Sequence, residues 1–274
     1  MIDWLVQSTQ DHPALTHGQP PDGLLAEREL EQFAALKTAK RRRDWLLGRW
    51  TAKRLVWSLV QRETGDSLRL EDILIAKDPD GAPCVNINFG FEPPQVTLSI
   101  SHSGDRAFCA SISAAIGGRP STGRPPALLG ADIERVEARP AGFAGDYFTV
   151  REAALVARTP SPSRDLLATA IWSAKEAALK ALHLGLTVDT RSVTCLIEPA
   201  IDPWLSWTPF PIEWDVGRLN NPVSHQQEPP HLAGWWRVQE GYVLTLAAEP
   251  GIQPQPPAAQ TETNFAAHGS RSYA

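Results

Sequence analysis

Leu128-Leu129-Gly130-Ala131-Asp132-Ile133-Glu134 is an apolar run that ends in two carboxylates. It predicts a strand over 128–136, in which side chains two residues apart point to the same face. Asp132 and Glu134 would then lie side by side, with Ile133 turned into the core. Two adjacent carboxylates in a phosphate-handling site favour Mg²⁺, which proteins usually hold through one or two carboxylates. The alternative is a solvent-facing strand end, because exposed acidic pairs are common.

A second carboxylate-bearing stretch is Trp172-Ser173-Ala174-Lys175-Glu176, within a helix predicted over 166–184. At about 100° per residue, Glu176 shares a stripe with Trp172 and Leu179, and Lys180 follows it by one turn. A charge among apolar neighbours is costly unless a cation meets it. The alternative is a surface Glu–Lys pair, which contributes only a few tenths of a kcal/mol.

The segment from Lys40 to Arg54 holds seven basic residues and one acid. It lies in a helix predicted over 23–64 that ends at Gly65-Asp66, and Arg42, Arg49 and Lys53 share one face of it. Several cations on one stripe suit a polyphosphate. A basic solvated face or a nucleic-acid patch is the alternative, although the net charge of −5 argues against general nucleic-acid binding.

Hydroxyls and an imidazole occur together in Ser99-Ile100-Ser101-His102-Ser103-Gly104. Strands are predicted over 95–100 and 107–112, so residues 101–105 become a loop whose side chains and amides can donate to a phosphate. A Ser–His nucleophile is rejected, because no G-x-S-x-G elbow is present. The alternative is a capped turn.

Turn and strand signals organise the rest of the chain. Asp78 to Pro83 forms a turn before a strand at 83–87, and 235–238 with 242–248 forms a hairpin that turns at Glu240-Gly241. The Gly-, Pro- and Arg-rich stretch 117–126 is the expected seam between two halves. Residues 199–232 receive no assignment, and disorder is expected after Pro250.

Composition limits the class of protein. The chain has 274 residues, 42% of them hydrophobic and 21% charged, as in ordinary globular proteins. No stretch approaches the roughly 20 apolar residues of a membrane helix and the start lacks a signal pattern, so a cytoplasmic protein is expected. The three cysteines have no metal-site spacing and are expected to be buried thiols. Another Mg²⁺-dependent phosphoryl transferase is a rival, but no G-x-x-x-x-G-K-[ST] loop occurs.

Together, and in order, these motifs resemble the 4′-phosphopantetheinyl transferases, in particular the longer, single-chain type that acts on carrier proteins of polyketide, nonribosomal-peptide and siderophore synthesis. The resemblance covers roughly residues 24–186. It rests on five matched segments: the basic helix at 43–53, the Gly81-Ala82-Pro83 turn, the Ser99–Gly104 loop, the Gly130–Glu134 strand and the Trp172–Leu182 helix.

The resemblance implies an α+β fold of two similar halves related by a pseudo-twofold, with the active site in the cleft between them. We expect residues 1–116 to form the half with the basic, coenzyme A-binding helix. Residues 117–249 would form the half with the metal-binding carboxylates, and residues 250–274 a disordered tail.

It also implies residue roles. Asp132, Glu134 and Glu176 would bind Mg²⁺, or Mn²⁺, and Glu176, Lys180 and Asp132 would be catalytic, with Glu176 as base. Coenzyme A is the implied co-substrate, and these residues would bind it: Lys40, Arg43, Arg49, Gly81, Pro83, Ser101, His102 and Lys180.

The implied partner is an acyl- or peptidyl-carrier protein, modified by a monomer with no need of nucleic acid or membrane. An apolar surface at 143–155, including Tyr147 and Phe148, is expected to recognise it. The chain departs from the family at Ala82, where lysine is frequent. We expect that contact to be absent or supplied by Lys77 or Lys40.

Overall fold

The computed structural model describes residues 1–65, 68–88, 95–113, 127–161, 163–198, 203–204, 206–219 and 229–256, apart from the side chain of Leu186. In this part of the chain, no helix is both long and apolar enough to cross a membrane.

The first half is a five-stranded antiparallel sheet covered by a long helix. Its elements are β1 (Asp3–Ser8), α1 (Pro13–Thr16), α2 (Glu27–Ala34), α3 (Ala39–Thr64), β2 (Ile73–Lys77), β3 (Pro83–Ile87), β4 (Val96–Ser103) and β5 (Arg106–Ser113). The strand order is β1-β5-β4-β3-β2. Leu55, Val56 and Leu59 of α3 pack on this sheet against residues such as Ile73 and Ile75.

The second half has the same plan. Its elements are β6 (Leu129–Arg135), α4 (Phe143–Tyr147), α5 (Val150–Arg158), α6 (Ser163–Ala181), β7 (Val193–Cys195), β8 (Thr208–Trp214), β9 (Ala233–Gln239) and β10 (Tyr242–Ala248). The strand order is β6-β10-β9-β8-β7. The alanine-rich face of α6 packs on this sheet, and a third apolar layer, including Phe108, Ile133 and Leu244, joins the two halves.

The two halves repeat one another in element order and in strand order. Each begins with a strand, continues with two short helices and a long helix, and ends with four antiparallel strands. The long helices also share the pattern Trp-Ser/Thr-Ala-Lys. It occurs as Trp50-Thr51-Ala52-Lys53 in α3 and as Trp172-Ser173-Ala174-Lys175 in α6, followed by Arg54 and Glu176 respectively. The expected α+β fold of two similar halves is therefore confirmed.

A buried ion pair recurs at the matched lysine of each long helix. Lys53 pairs with Glu29 of α2, and Lys175 with Glu152 of α5, with all four side chains fully buried. Each carboxylate also accepts a backbone N–H from the outermost strand: Ile75 in the first half and Cys195 in the second. These pairs fix the short helix to the long helix and to the sheet edge.

Glycine is required where α6 crosses β6. A Cβ built on Gly130 would lie 1.8 Å from the carbonyl oxygen of Ala177. The close approach brings the functional face of α6 onto the strand that carries Asp132.

Several local predictions need correction. The helix expected over 23–64 is broken into α2 and α3, because the Thr38 hydroxyl accepts the N–H of Arg41 and starts a new helix. The break lets Glu29 reach Lys53. Residues 101–103 belong to β4 and not to a loop, since the β4–β5 turn is at Gly104-Asp105.

Other corrections concern the C-terminal third and the cysteines. Strand β8 lies inside the unassigned stretch 199–232, and Cys84 is exposed whereas Cys109 and Cys195 are buried. Residues 250–256 of the expected disordered tail run beside the N-terminus, where Ile2 exchanges backbone hydrogen bonds with Gln253 and Gln255. Residues 257–274, and the predicted seam 117–126, lie outside the described residues.

Candidate active site between the two halves

A row of serines on β4 binds the first strand of the other half. Ser99, Ser101 and Ser103 lie two residues apart and so share one face. Ser99 Oγ accepts the N–H of Ala131 at 2.9 Å, and Ser103 Oγ accepts that of Arg135 at 3.2 Å. Between them, Ser101 Oγ donates to Asp132 Oδ1 at 2.7 Å. The Ser-His-Ser stretch thus holds the halves together beside the carboxylates.

Asp132 is the most enclosed of the predicted metal ligands, with 3% of its surface exposed. Its Oδ1 also accepts a hydrogen bond from Lys180 Nζ at 2.7 Å, and its Oδ2 accepts one from Ser173 Oγ at 2.8 Å. Lys180 in turn lies 3.0 Å from Ser101 Oγ. Residues of β4, β6 and α6 therefore meet at this one carboxylate.

Glu134 lies on the same face of β6, as the spacing predicts. Its Oε1 accepts Trp172 Nε1 at 3.2 Å, and its Oε2 accepts Arg139 Nη2 at 3.3 Å. Burial raises the pKa of Glu134, and the negative charge of Asp132 adds to the shift. Arg139 and Trp172 counteract part of this cost.

Glu176 differs from its two neighbours because, among the described residues, it has no hydrogen-bond or ion-pair partner. It is partly buried on α6, between the turns that carry Trp172 and Lys180. Burial first, and then the charge of Asp132, raise the pKa of Glu176 to about 7, although Lys180 opposes the shift. A carboxylate in this state can exchange a proton near neutral pH.

The three carboxylates suit a hard divalent cation in donor type and charge. All donors are oxygens, and the pKa values of Glu134 and Glu176 are raised in part by neighbouring carboxylates, which a cation would relieve. The ligand atoms of the three carboxylates do not all lie within 4.8 Å of one another. Among the described residues, the set of three possible metal ligands whose ligand atoms all lie within 4.8 Å of one another is Asp78, Asp80 and His183. Asp80 and His183 line the cleft that Lys180 also lines.

A cleft of about 370 Å³ is connected to the carboxylates through Lys180, which lines it and binds Asp132. The β2–β3 turn forms one wall with Gly81, Ala82 and Pro83, and the end of α6 forms the other with Lys180 and His183. Gly81, Pro83 and Lys180, which are three of the residues predicted to bind coenzyme A, line this one cleft. Lys180 also contacts Asp132.

The basic helix contributes less to this cleft than its composition suggests. Lys40 and Arg43 are exposed at the start of α3, where Lys40 pairs with Asp44 at 2.7 Å. Arg49 is 7% exposed, lies over the Trp45 ring and faces Glu29. Lys53 is fully buried in an ion pair with Glu29. The prediction that Lys53 belongs to a phosphate-binding stripe is therefore wrong.

His102 lies on β4, where charges from both the start of α3 and the site act on it. Burial lowers the pKa of His102, Asp44 opposes this shift, and Lys180 and Lys40 add to it. His102 therefore lies within electrostatic reach of both the basic helix and the carboxylates.

Sequence reasoning missed three residues that position the site: Ser173, Thr245 and Arg139. Ser173 lies within a motif that was recognised for Trp172 and Glu176. The repeat of Trp-Ser/Thr-Ala-Lys in the two long helices was a readable signal that this motif is structural as well as functional. Thr245 gives no local signal, because it meets the site only through the pairing of β10 with β6.

Comparison with known proteins supplies the family. A family model described as the 4′-phosphopantetheinyl transferase superfamily matches residues 128–247. A holo-[acyl-carrier-protein] synthase from Geobacillus kaustophilus is 34% identical over 97 residues, which are 35% of this chain and 73% of that protein.

Solved structures give weaker likenesses. A holo-(acyl-carrier-protein) synthase from Bacillus anthracis in complex with CoA (3′,5′-ADP) is 21% identical, with a TM-score of 0.34, over 42% of this chain and 96% of that one. The Helicobacter pylori holo-[acyl-carrier-protein] synthase in complex with coenzyme A is 19% identical, with a TM-score of 0.32, over 42% of this chain and all (100%) of that one.

The family model and the relative from Geobacillus kaustophilus define an enzyme of the transferase class. The chain belongs to the 4′-phosphopantetheinyl transferase superfamily.

Proposed function

We propose that this enzyme transfers the 4′-phosphopantetheine arm of coenzyme A to a serine of an acyl- or peptidyl-carrier protein, in an Mg²⁺-dependent reaction that releases 3′,5′-ADP. The relative from Geobacillus kaustophilus is a holo-[acyl-carrier-protein] synthase, which supports the reaction class. The presence of both halves in one chain supports the longer, single-chain type and a monomer.

The observation that carries the proposal is the state of Glu176. This carboxylate has a pKa of about 7 and, within the described ranges, no hydrogen-bonding partner. It lies one helical turn from Lys180, which reaches both Asp132 and the cleft. A carboxylate without a hydrogen-bonding partner, next to a cationic donor, is suited to taking the proton of a hydroxyl that attacks a phosphate.

In the proposed step, Glu176 takes the proton of the carrier serine. The serine oxygen forms a bond to the β-phosphorus of coenzyme A while the bond to the bridging oxygen breaks. The electron pair leaves with 3′,5′-ADP, so no covalent enzyme intermediate is needed. Lys180 donates hydrogen bonds to phosphate oxygens, which requires its ammonium group to share or leave Asp132 Oδ1.

Asp132, Glu134 and Glu176 would hold Mg²⁺, or Mn²⁺, whose chemistry here is to neutralise charge on the phosphate oxygens. Ser101, Ser173 and Lys180 keep Asp132 in place for this role. Arg139 and Trp172 keep Glu134 beside it.

The cleft beside Lys180 is the proposed site of the nucleotide end of coenzyme A. Ala82 offers no charge there, and His183 and Lys180 are the basic side chains of its wall. Lys40, Arg43 and His102 lie towards the start of α3, where they can attract the phosphates. Arg49 is buried beneath this surface, where its guanidinium group packs over the Trp45 ring.

For the carrier protein we propose the outer surface of α4 and α5. Tyr147 is 41% exposed and Val150 is 87% exposed, so both are available to a partner. Phe148, which was expected to share this role, is 3% exposed and packs edge-to-face on Phe143. Phe148 is therefore part of the core.

The decisive experiment is intact-mass spectrometry of an apo carrier protein incubated with this enzyme, coenzyme A and Mg²⁺. We expect a gain of one phosphopantetheine, which is lost when a chelator is added. No gain with either an acyl- or a peptidyl-carrier protein, together with no coenzyme A binding, would overturn the proposal. Salt-sensitive binding to duplex DNA in that case would favour the nucleic-acid alternative.

A further inference from the structure

A buried hydroxyl pair stands behind Asp132. Ser173 Oγ lies 2.8 Å from Asp132 Oδ2 and 2.8 Å from Thr245 Oγ1. Thr245 Oγ1 also lies 2.9 Å from the carbonyl oxygen of Ser173. Both Ser173 and Thr245 are 0% exposed, so water does not compete for their hydroxyl protons.

The direction of these hydrogen bonds follows from proton counting. Asp132 is ion-paired with Lys180, and an ionised carboxylate can only accept. The single proton of Ser173 must therefore point at Asp132 Oδ2. Ser173 Oγ is then left as an acceptor, and the single hydroxyl proton of Thr245 is shared between Ser173 Oγ and the carbonyl oxygen of Ser173. Thr245 thereby holds Ser173 in place next to Asp132.

Counting the acceptor sites of Asp132 shows why this arrangement matters. A carboxylate has about two lone-pair sites on each oxygen. Ser101 and Lys180 use both sites of Oδ1, and Ser173 uses one site of Oδ2. The acceptor capacity that remains for a cation is on Oδ2, and Ser173 is the one donor to this oxygen among the described residues.

We propose that Ser173, backed by Thr245, is a positioning residue that orients Asp132 Oδ2 as the metal-binding oxygen. This inference rests on the proposed function insofar as it takes Asp132 to be a metal ligand. Partners that orient a ligand in this way typically account for 10- to 100-fold in metal affinity. Ser173 touches neither the cleft nor a phosphate site, so its effect should appear in metal binding and not in binding of coenzyme A alone.

The repeat provides a matched control. Thr51 occupies in α3 the place of Ser173 in α6 and is also 0% exposed. Its hydroxyl donates to the carbonyl oxygen of Leu47 at 2.8 Å and not to a carboxylate of the site. Thr51→Val and Ser173→Ala both delete one buried hydroxyl from equivalent positions, but only Ser173→Ala removes a partner of Asp132.

The test is a titration of the whole protein with Mn²⁺ in the absence of coenzyme A. The electron paramagnetic resonance signal of the free ion measures how much Mn²⁺ is bound. We expect Ser173→Ala to weaken Mn²⁺ binding about 10- to 100-fold. Ser173→Thr should restore most of the affinity, and Thr51→Val should leave it unchanged. Thermal melts check that each variant folds. Thr245→Val, with Thr245→Ser as its rescue, provides a second pair in which a smaller loss is expected.

The outcomes are distinguishable. If wild-type protein binds no Mn²⁺, or if Ser173→Ala and Thr51→Val behave alike, the inference is overturned. Unchanged binding in both Ser173→Ala and Thr245→Val would overturn it as well. If Ser173→Ala weakens Mn²⁺ binding and Thr51→Val does not, the inference stands. It stands even when the wild-type enzyme modifies no carrier protein, a result that would count against the proposed function only.

Discussion

Lys53 and Lys175 make equivalent contacts in the two halves of the molecule. Each ammonium group is fully buried, pairs with a glutamate of the preceding short helix, and donates to two backbone carbonyl oxygens. Neither lysine faces the cleft, so both serve the fold.

Removing one of these charges should strongly destabilise its half. Lys53→Met removes the closest cation of the buried Glu29 and leaves Arg49, 3.3 Å away, as its remaining ion-pair partner among the described residues. Breaking a buried pair in this way typically costs about 3–5 kcal/mol of unfolding free energy. Urea denaturation measures the loss. Lys40→Met is the control, because the exposed Lys40–Asp44 pair contributes less than about 1 kcal/mol. Equal losses in the two variants would contradict the role given to Lys53.

Gly130 should tolerate no side chain. Gly130→Ala places a Cβ 1.8 Å from the Ala177 carbonyl oxygen, so α6 must move away from β6 and overpacking should cost about 1–3 kcal/mol or more. The control is Gly48→Ala in α3, where the nearest atom would be 3.4 Å away. That substitution should be neutral or should stabilise the helix by up to about 1 kcal/mol. Thermal melts of both variants provide the comparison.

Glu176→Gln should remove the proposed base while preserving shape. We expect transfer to fall about 10²- to 10⁴-fold, measured by the mass gain of the carrier protein. Glu137→Gln, an exposed acid that follows β6, should retain full activity. A Glu176→Gln enzyme that transfers at the wild-type rate would remove Glu176 from the mechanism.

The raised pKa of Glu176 also predicts a dependence of stability on pH. The folded value is about 7 against an ordinary value of 4.5, so the folded state holds the proton more tightly than the unfolded state. The cost of ionising Glu176 in the fold is absent below pH 4.5, grows between pH 4.5 and 7, and is complete above pH 7.

Without added metal, Glu176→Gln should therefore be more stable than wild type at pH 8. The gain should be on the order of 1–2 kcal/mol after allowance for solvent screening. The two proteins should be equally stable at pH 4. Denaturation curves at both values measure the difference, and a gain of the same size at pH 4 would show that the effect is not ionisation of Glu176.

Val150→Asp should impair recognition of the carrier protein. A new charge on this exposed surface should raise the KM for the carrier while the KM for coenzyme A stays unchanged, because the cleft is formed by other elements. Val216→Asp is the control, since Val216 is also exposed, at 55%, but lies in a different loop. An unchanged KM for the carrier in Val150→Asp would place the docking surface elsewhere.

Local pattern was sufficient for much of this molecule. Strand β3 has the predicted bounds, the terminal hairpin turns at Glu240-Gly241 as expected, and both residues have positive φ there. Asp132 and Glu134 share a face because the period of a strand is two. These features depend on neighbours in sequence, which a single sequence displays.

Other features depend on contacts between distant segments. The break before α3 is stabilised by the pairing of Glu29 with Lys53, which are 24 positions apart. Strand β8 received no assignment, because Pro209 and Pro211 are unusual in a strand. Both prolines are exposed and lie in the part of β8 that pairs with β9 only. Strand β7 pairs with the other end of β8. Prolines are tolerated at such edges. The alternation of Phe210, Ile212 and Trp214 was the signal that remained.

Arg54 occupies in α3 the position that Glu176 occupies in α6. The two halves therefore carry opposite charges at equivalent positions, although their folds are alike. The second half contributes the carboxylates and Lys180, whereas the first contributes the serine that fixes Asp132 and the turn that walls the cleft. Neither half holds a complete site. We therefore expect the smallest working piece of this enzyme to be the docked pair. An engineered version that divides the chain should regain its chemistry only when both pieces reassemble.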